Sequence, residues 1–309
     1  MKTFIPYIVS GLVYLSVCYT NIFFVNTCYA SVYQLPHQSR LIGENVEYRI
    51  EQGDYFQAIA EYFDIGLLAL IAANPDVDPF LPPVGANITI PKQMLLPYAE
   101  HKGIVINLSE LRLYYFPPNE KLVYVFPVGI GREGLSTPKV ISYIGEKRKD
   151  PSWRPTEAMR ERYRLEHGKE LAKVIPAGPD NPFGKYALRI GTSEYLVHGT
   201  NQRMGIGMRA SSGCIRMYDE DIKWLFENVA EGTQIRIVDQ PIKMSYELTG
   251  KKLIEIHQPL SEQGDLVVNS LSPAVETFIG EEESIHQIVS TLLAKPSGLV
   301  TELSVKQSP

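Results

Sequence analysis

Cysteine is scarce in this chain: three in 309 residues, two of which, Cys18 and Cys28, fall in the apolar N-terminal stretch. Cys214 is the one thiol outside that stretch, which excludes a disulfide framework and any zinc site built on paired cysteines. Histidine is sparse too, with six residues and no closely spaced pair, so the spacing offers no metal ligands, and no metal or other cofactor is expected. Lysine and arginine form no run and the net charge is −5, which weighs against nucleic acid as a partner. Internal repeats and low-complexity tracts are lacking. With 44% hydrophobic residues, the chain is long enough for two or three domains, each with its own core.

The N-terminus starts with Lys2, runs apolar from Phe4 to Val25 and closes on Cys28-Tyr29-Ala30, with small residues at the −3 and −1 positions. Residues 1–30 read as a cleaved export signal; left uncleaved, the same stretch is long enough to anchor the chain in a bilayer. Either way the rest of the chain lies outside the cytoplasm. An unpaired thiol in an oxidising compartment risks wrong partners, so its retention at position 214 points to use.

Residues 46–92 alternate strand and helix signals. Val46–Ile50 alternates like a strand, and Gly53-Asp54 supplies a turn and a helix N-cap. Phe56, Ile59, Ala60 and Phe63 recur at helical spacing, a second apolar run spans Ile65–Ala73 and stops at Asn74-Pro75, and Ala86–Pro91 alternates again. The order is β-α-α-β. Tyr48-Arg49-Ile50-Glu51-Gln52-Gly53-Asp54, Ile59-Ala60, Asn74-Pro75 and Ile88–Pro91 resemble the LysM family, which implies binding of N-acetylglucosamine-containing glycan strands. Tyr55-Phe56 departs from that pattern, where a hydroxyl residue and leucine are usual.

Residues 98–240 are strand-rich. Gly103–Leu108, Leu111–Phe116, Lys121–Ile130, Ala187–Ile190, Tyr195–His198 and Ile235–Val238 read as short strands, Asp219–Asn228 as an amphipathic helix, and the charged segment Asp150–Pro176 as an insertion over the sheet. In residues 241–309, an accessory region without an assigned role, Ile242–Leu248 and Lys252–His257 pair around Thr249-Gly250-Lys251, Glu282–Leu293 is helical and the tail after Lys295 is frayed.

A thiol attacks a carbonyl only as thiolate, so Cys214 needs a base or a positive field. His198, sixteen positions upstream at the end of a hydrophobic strand and followed by Gly199, suits the base. Gly213 lets the backbone approach a substrate, and the amides of Gly213 and Cys214 are placed to donate to an oxyanion. Arg216 lies two residues on, on the same face as Cys214 in an extended segment, to hold a carboxylate or lower the thiol pKa; pairing with Asp219 is the alternative.

His198-Gly199-Thr200-Asn201, Gly205-Ile206-Gly207 and Ser211-Ser212-Gly213-Cys214-Ile215-Arg216-Met217 resemble the YkuD-type L,D-transpeptidase catalytic domain, with further matches at Phe126–Gly129, Thr137-Pro138, Pro176 and Asn181–Gly184. The resemblance covers roughly residues 100–240 and implies a mainly β catalytic domain, a sandwich or barrel with one or two helices. Beside it stand the small βααβ LysM domain and a small C-terminal α+β region. It implies an enzyme of the periplasm and cell wall, where Cys214 attacks the diaminopimelate carbonyl of a tetrapeptide stem, expels D-alanine and passes the acyl group to an amine. Acceptors in the family are a second diaminopimelate or the lysine of an outer-membrane lipoprotein; water gives a carboxypeptidase. Carried over by position, His198 is the base, Ser211 a supporting hydroxyl, Gly213 part of the oxyanion site and Arg216 a positioning or substrate-binding cation, with Gly199, Asn201 and Ser212 on the substrate side. Ser212 stands where many members have histidine, so a second imidazole is lacking.

Other motifs fail on context. Gly129-Ile130-Gly131-Arg132-Glu133-Gly134 fits the dinucleotide fingerprint but leads into Leu135–Pro138 without a helix. Ser136-Thr137-Pro138-Lys139 fits S-x-x-K, yet Pro138 spoils the required helix. The competing functions are a wall cysteine peptidase, which the order and spacing of His198 and Cys214 disfavour, and a non-catalytic wall-binding scaffold.

Overall fold

The computed structural model describes residues 31–260 and 271–304. The expected export signal, at residues 1–30, lies outside the described residues.

Strands β1 (Ser31–Gln34), β2 (Leu41–Ile42) and β3 (Val46–Arg49) precede helices α1 (Phe56–Tyr62) and α2 (Leu67–Ala73), after which β4 (Asn87–Ile90) pairs antiparallel with β3. Phe56, Ile59, Ala60, Leu70, Ile88 and Ile90 close a core of their own, as their helical and alternating spacing requires. The Asn74 side chain staples helix to strand: it donates to the carbonyls of Leu70 and Thr89 at 2.9 and 2.8 Å and accepts from the Thr89 amide at 2.7 Å. Asp54 is not the N-cap of α1, a position held by Tyr55 without a side-chain cap. Its carboxylate instead accepts from the Glu51 amide and the Tyr48 hydroxyl, at 2.8 and 2.9 Å, because the turn it closes comes before the helix begins.

The central region runs β5 (Met94–Leu95), β6 (Gly103–Asn107), β7 (Arg112–Phe116), β8 (Leu122–Pro127), β9 (Ile130–Gly131), β10 (Val140–Lys149), α3 (Glu157–His167), β11 (Tyr186–Ile190), β12 (Leu196–His198), β13 (Arg209–Ser211), β14 (Ile215–Arg216), α4 (Asp219–Asn228) and β15 (Gln234–Val238). Nine strands form one sheet in the order β1-β8-β7-β6-β15-β10-β11-β12-β14. β6 and β7 are buried along their whole length because both faces are covered. Ile104, Ile106 and Leu113 face the main core with Val197, Ile215 and Ile222, whereas Val105, Tyr114 and Phe116 face a second cluster with Ile42 and Met94. β10 is absent from the sequence reading. A register shift between Ile144 and Lys147 lets it pair with β15 through its first half and β11 through its second, which bends the sheet.

The C-terminal region holds β16 (Ile242–Tyr246), β17 (Lys252–Ile256), α5 (Pro273–Ile279), α6 (Glu283–Ala294) and β18 (Val300–Glu302). β16 and β17 form a hairpin, and the tail expected to fray adds β18 to its free edge, Leu253 opposite Glu302. β17 is largely buried, with Ile254 and Ile256 in one core with α5 and α6, so its backbone groups need a partner. The region is clamped to the sheet by ionised side chains. Lys243 on β16 lies 2.9 Å from Glu110 and 3.0 Å from Glu255, and Arg112 reaches the same two carboxylates, with both glutamates and the lysine fully buried. Glu110, Glu255 and His257 converge closely enough to ligate a metal, but the Lys243 ammonium already holds the cation position between the carboxylates.

Candidate active site

β12 and β14 are parallel neighbours, with Val197 opposite Ile215 and His198 opposite Arg216. Side chains alternate across a strand, so Val197 and Ile215 enter the core while His198, Cys214 and Arg216 share the other face. Cys214 immediately precedes β14, the strand that flanks His198. All three line a cleft of about 510 Å³.

His198 is 3% exposed, covered by the Phe183 ring at 4.7 Å. Its Nδ1 lies 2.6 Å from the Gly199 carbonyl. A carbonyl only accepts, so Nδ1 carries the proton and Nε2 holds a lone pair. Burial pushes the imidazole pKa down to about 3; the Gly199 hydrogen bond opposes this, and the Arg216 charge adds to it. Cys214 is half-buried, and burial pushes its thiol up, against a Leu196 backbone hydrogen bond and the Arg216 charge, which lower it. Both shifts disfavour the charged forms, the imidazolium at His198 and the thiolate at Cys214.

The approach to Cys214 is held by hydroxyls. Ser211 Oγ donates to the Cys214 carbonyl and accepts from the Gly213 amide at 3.1 Å. Thr137 Oγ1 donates to the Gly213 carbonyl at 2.9 Å and accepts from the Gly131 amide at 3.0 Å. The Gly213 amide is therefore engaged by Ser211, unlike its expected oxyanion role. What Gly213 supplies is conformation: its φ is +107°, and a Cβ there would lie 2.9 Å from the Tyr195 ring.

Arg216 does not pair with Asp219. Asp219 accepts from the Thr200 amide at 3.2 Å, and among the described residues no carboxylate lies within ion-pair distance of Arg216. One Arg216 Nη meets Gln202 Oε1 at 3.3 Å, and its buried Nε has no partner. The half-buried guanidinium therefore stands in the cleft with Cys214 and has no carboxylate partner among the described residues. Asn201 and Ser212 are exposed on the cleft wall, while Gly199 stands behind the imidazole and contributes its carbonyl.

The far wall of the cleft comes from the insertion, where α3 supplies Met159, Arg162, Tyr163 and Glu166 and Arg132 bonds Glu166 at 3.2 Å. The sequence reading missed this helix. Its signals were Thr156, which caps by accepting from the Met159 amide, the left-handed Gly168 after its last turn, and the Glu157–Arg160 and Glu161–Arg164 pairs. Asn181, fully buried, ties the insertion to the sheet by donating to the Pro151 and Pro176 carbonyls at 2.7 and 3.1 Å.

The motif Gly129–Gly134 sits on the short strand β9, with no helix after it to receive a dinucleotide phosphate. Residues 101–237 match the family described as the L,D-transpeptidase catalytic domain, and residues 241–303 match the L,D-transpeptidase C-terminal domain. The chain is 45% identical to the probable L,D-transpeptidase YcfS of Escherichia coli K12 over 277 residues, 87% of this chain and 86% of that protein. It is 39% identical to the probable L,D-transpeptidase ErfK/SrfK of the same strain (92% of this chain, 94% of that protein), and 40% identical to the probable L,D-transpeptidase YbiS there (91% and 94%). With relatives matched over nearly their whole length, the chain belongs to the L,D-transpeptidase family and is an enzyme of acyl transfer.

Proposed function

We propose that Cys214 is the nucleophile and His198 the general base in transpeptidation of peptidoglycan stems. The observation that carries this is the shared face of β12 and β14, where Cys214, His198 and an unpaired Arg216 open into one cleft. A tetrapeptide stem ending in D-alanine offers a terminal carboxylate, and Arg216 binds it. The carbonyl on the L-centre of diaminopimelate, one residue back, then meets Cys214.

As Sγ forms its bond to that carbon, the thiol proton passes to His198 Nε2, whose lone pair is free because Nδ1 donates to Gly199. The carbonyl oxygen takes up negative charge, and of the two amides the Cys214 one is left to donate to it, since the Gly213 amide serves Ser211. When the tetrahedral adduct collapses, the C–N bond breaks, the D-alanine amine takes the proton back from Nε2 and a thioester remains. An acceptor amine, on a second diaminopimelate or on a lipoprotein lysine, attacks the thioester and gives a proton to Nε2; the C–S bond breaks and the departing Cys214 thiolate takes that proton back. Carboxylate binding at Arg216 also removes a positive charge that holds His198 down, so donor binding itself makes the base stronger.

The βααβ module at residues 46–92 is read as a LysM domain that holds glycan strands, residues 98–240 as the catalytic domain and residues 241–309 as its accessory, in an enzyme working in the periplasm. Support for the module's identity is its topology and the Asn74 staple. The test is D-alanine release from tetrapeptide stems alongside pull-down on isolated walls. Cys214→Ala and His198→Ala abolish release and leave pull-down unchanged; release that survives in Cys214→Ala removes the assignment.

A further inference from the structure

The βααβ module does more than sit beside the catalytic domain: it abuts the loop that joins His198 to Cys214. Gly66, just before α2, meets Gly207 of that loop so closely that a Cβ on Gly207 would lie 2.2 Å from Gly66 Cα and one on Gly66 would lie 3.1 Å from Gly207 Cα. The Leu68 amide at the start of α2 donates to the Gly207 carbonyl at 3.2 Å. Arg203 from the same loop donates through Nε to Glu61 on α1 at 2.6 Å, through both Nη groups to Glu220 on α4 at 3.1 and 2.7 Å, and lies over the Tyr218 ring at 4.6 Å.

The other side of the loop touches Arg216. Gln202, next to Arg203, is the side chain that accepts from Arg216, and a Cβ on Gly205 would stand 3.2 Å from an Arg216 Nη. The loop is therefore held between the module and the guanidinium, and among the described residues Gln202 is the one side chain that hydrogen-bonds that guanidinium.

We infer that Glu61 and Gly66 are positioning residues of the active site, through which the module sets Gln202 and hence the orientation of Arg216 toward the donor carboxylate. The inference rests on Arg216 being the carboxylate receptor. It gives the module a part in turnover even on a substrate that carries no glycan. Glu61 and Arg203 are both partly exposed, so the effect of losing their pair is moderate, about two- to fivefold in an equilibrium constant.

The experiment uses the full-length protein and a glycan-free tetrapeptide stem. Glu61→Ala is expected to raise KM about two- to fivefold with little change in kcat, and Glu61→Gln, which keeps an acceptor for Arg203, to fall between it and the unaltered protein. Gly66→Ala, which pushes on Gly207 from the module side, should act in the same direction. With a stem whose terminal carboxylate is amidated, the variants and the unaltered protein should share one KM, because the contact being positioned is gone. Equal KM on the free-acid stem, or equal rises on both stems, overturns the inference while leaving the catalytic assignment standing. If the unaltered protein itself releases no D-alanine from the soluble stem, the catalytic reading fails first.

Discussion

His198 Nδ1 donates to the carbonyl of its own neighbour, Gly199, at 2.6 Å, so the group that orients the imidazole is main chain and not a carboxylate. An Asp or Glu in that place would raise the imidazole pKa and favour a thiolate–imidazolium pair; a carbonyl orients without adding charge.

A pH signature follows from that arrangement. Burial holds His198 at about 3 and pushes the Cys214 thiol up, so both charged forms are disfavoured. Labelling of Cys214 by iodoacetamide should climb steadily from about pH 5 to pH 9 as the thiolate fraction grows, with no plateau. Rapid labelling that is flat over that range would reveal a preformed ion pair and contradict the neutral resting state.

Arg216→Met removes the unpaired guanidinium and keeps much of its bulk. KM for the free-acid donor should rise at least tenfold, the loss of a charge-assisted hydrogen bond worth about 1.5–3 kcal/mol, while Tm holds or rises because no buried partner is orphaned. A fall in Tm of several degrees with unchanged KM would make Arg216 structural.

Gly213→Ala asks a Cβ to fit at a φ of +107° and 2.9 Å from Tyr195. The expected cost is about 1–3 kcal/mol of stability, with acylation slowed because the Ser211 and Thr137 contacts to this turn shift as well. Thermal melts and acylation rates measured on one preparation test it; full activity at unchanged Tm would refute it.

At the joint with the C-terminal region, Lys243→Met leaves Glu110 and Glu255 buried with Arg112 and His257 beside them, at a cost of about 3–5 kcal/mol near neutral pH. Burial would raise both carboxyls, yet Lys243 above all, with His257 and Arg112, holds both below their usual range. Their ionised form thus contributes stability above the ordinary carboxylate range, and that contribution is lost as pH falls through it and below. The gap between the variant and the unaltered protein should therefore narrow as denaturant melts move from pH 7 to about pH 4. A constant gap would mean that the lysine acts by packing alone.

The parts of this molecule legible in the sequence are those written in local patterns. The period of Phe56, Ile59 and Ala60 gives α1, the alternation of Val46–Arg49 gives β3, and Asp219–Asn228 announces α4 by its acidic start and apolar face. His198, Cys214 and Arg216, which line one cleft, stand out in the sequence because their spacing and flanking glycines are short-range features. What stayed hidden depends on distant partners. β10 takes its length from a bulge and two different neighbours, β18 exists only because β17 has an open edge, and the solvent-facing α3 buries no residue and shows no apolar stripe. The orienting Gly199 carbonyl is main chain and carries no residue signature, and the Arg203–Glu61 contact spans 142 positions of sequence.

The central claim, that Cys214 carries the acyl group, is tested most directly by intact-protein and peptide mass spectrometry after incubation with a diaminopimelate-containing tetrapeptide stem. The account predicts a mass increase equal to the stem less D-alanine, mapped to the peptide holding Cys214, with free D-alanine released in step and no adduct in Cys214→Ser. Folded protein that gives neither adduct nor D-alanine, or an adduct that persists in Cys214→Ser, contradicts it.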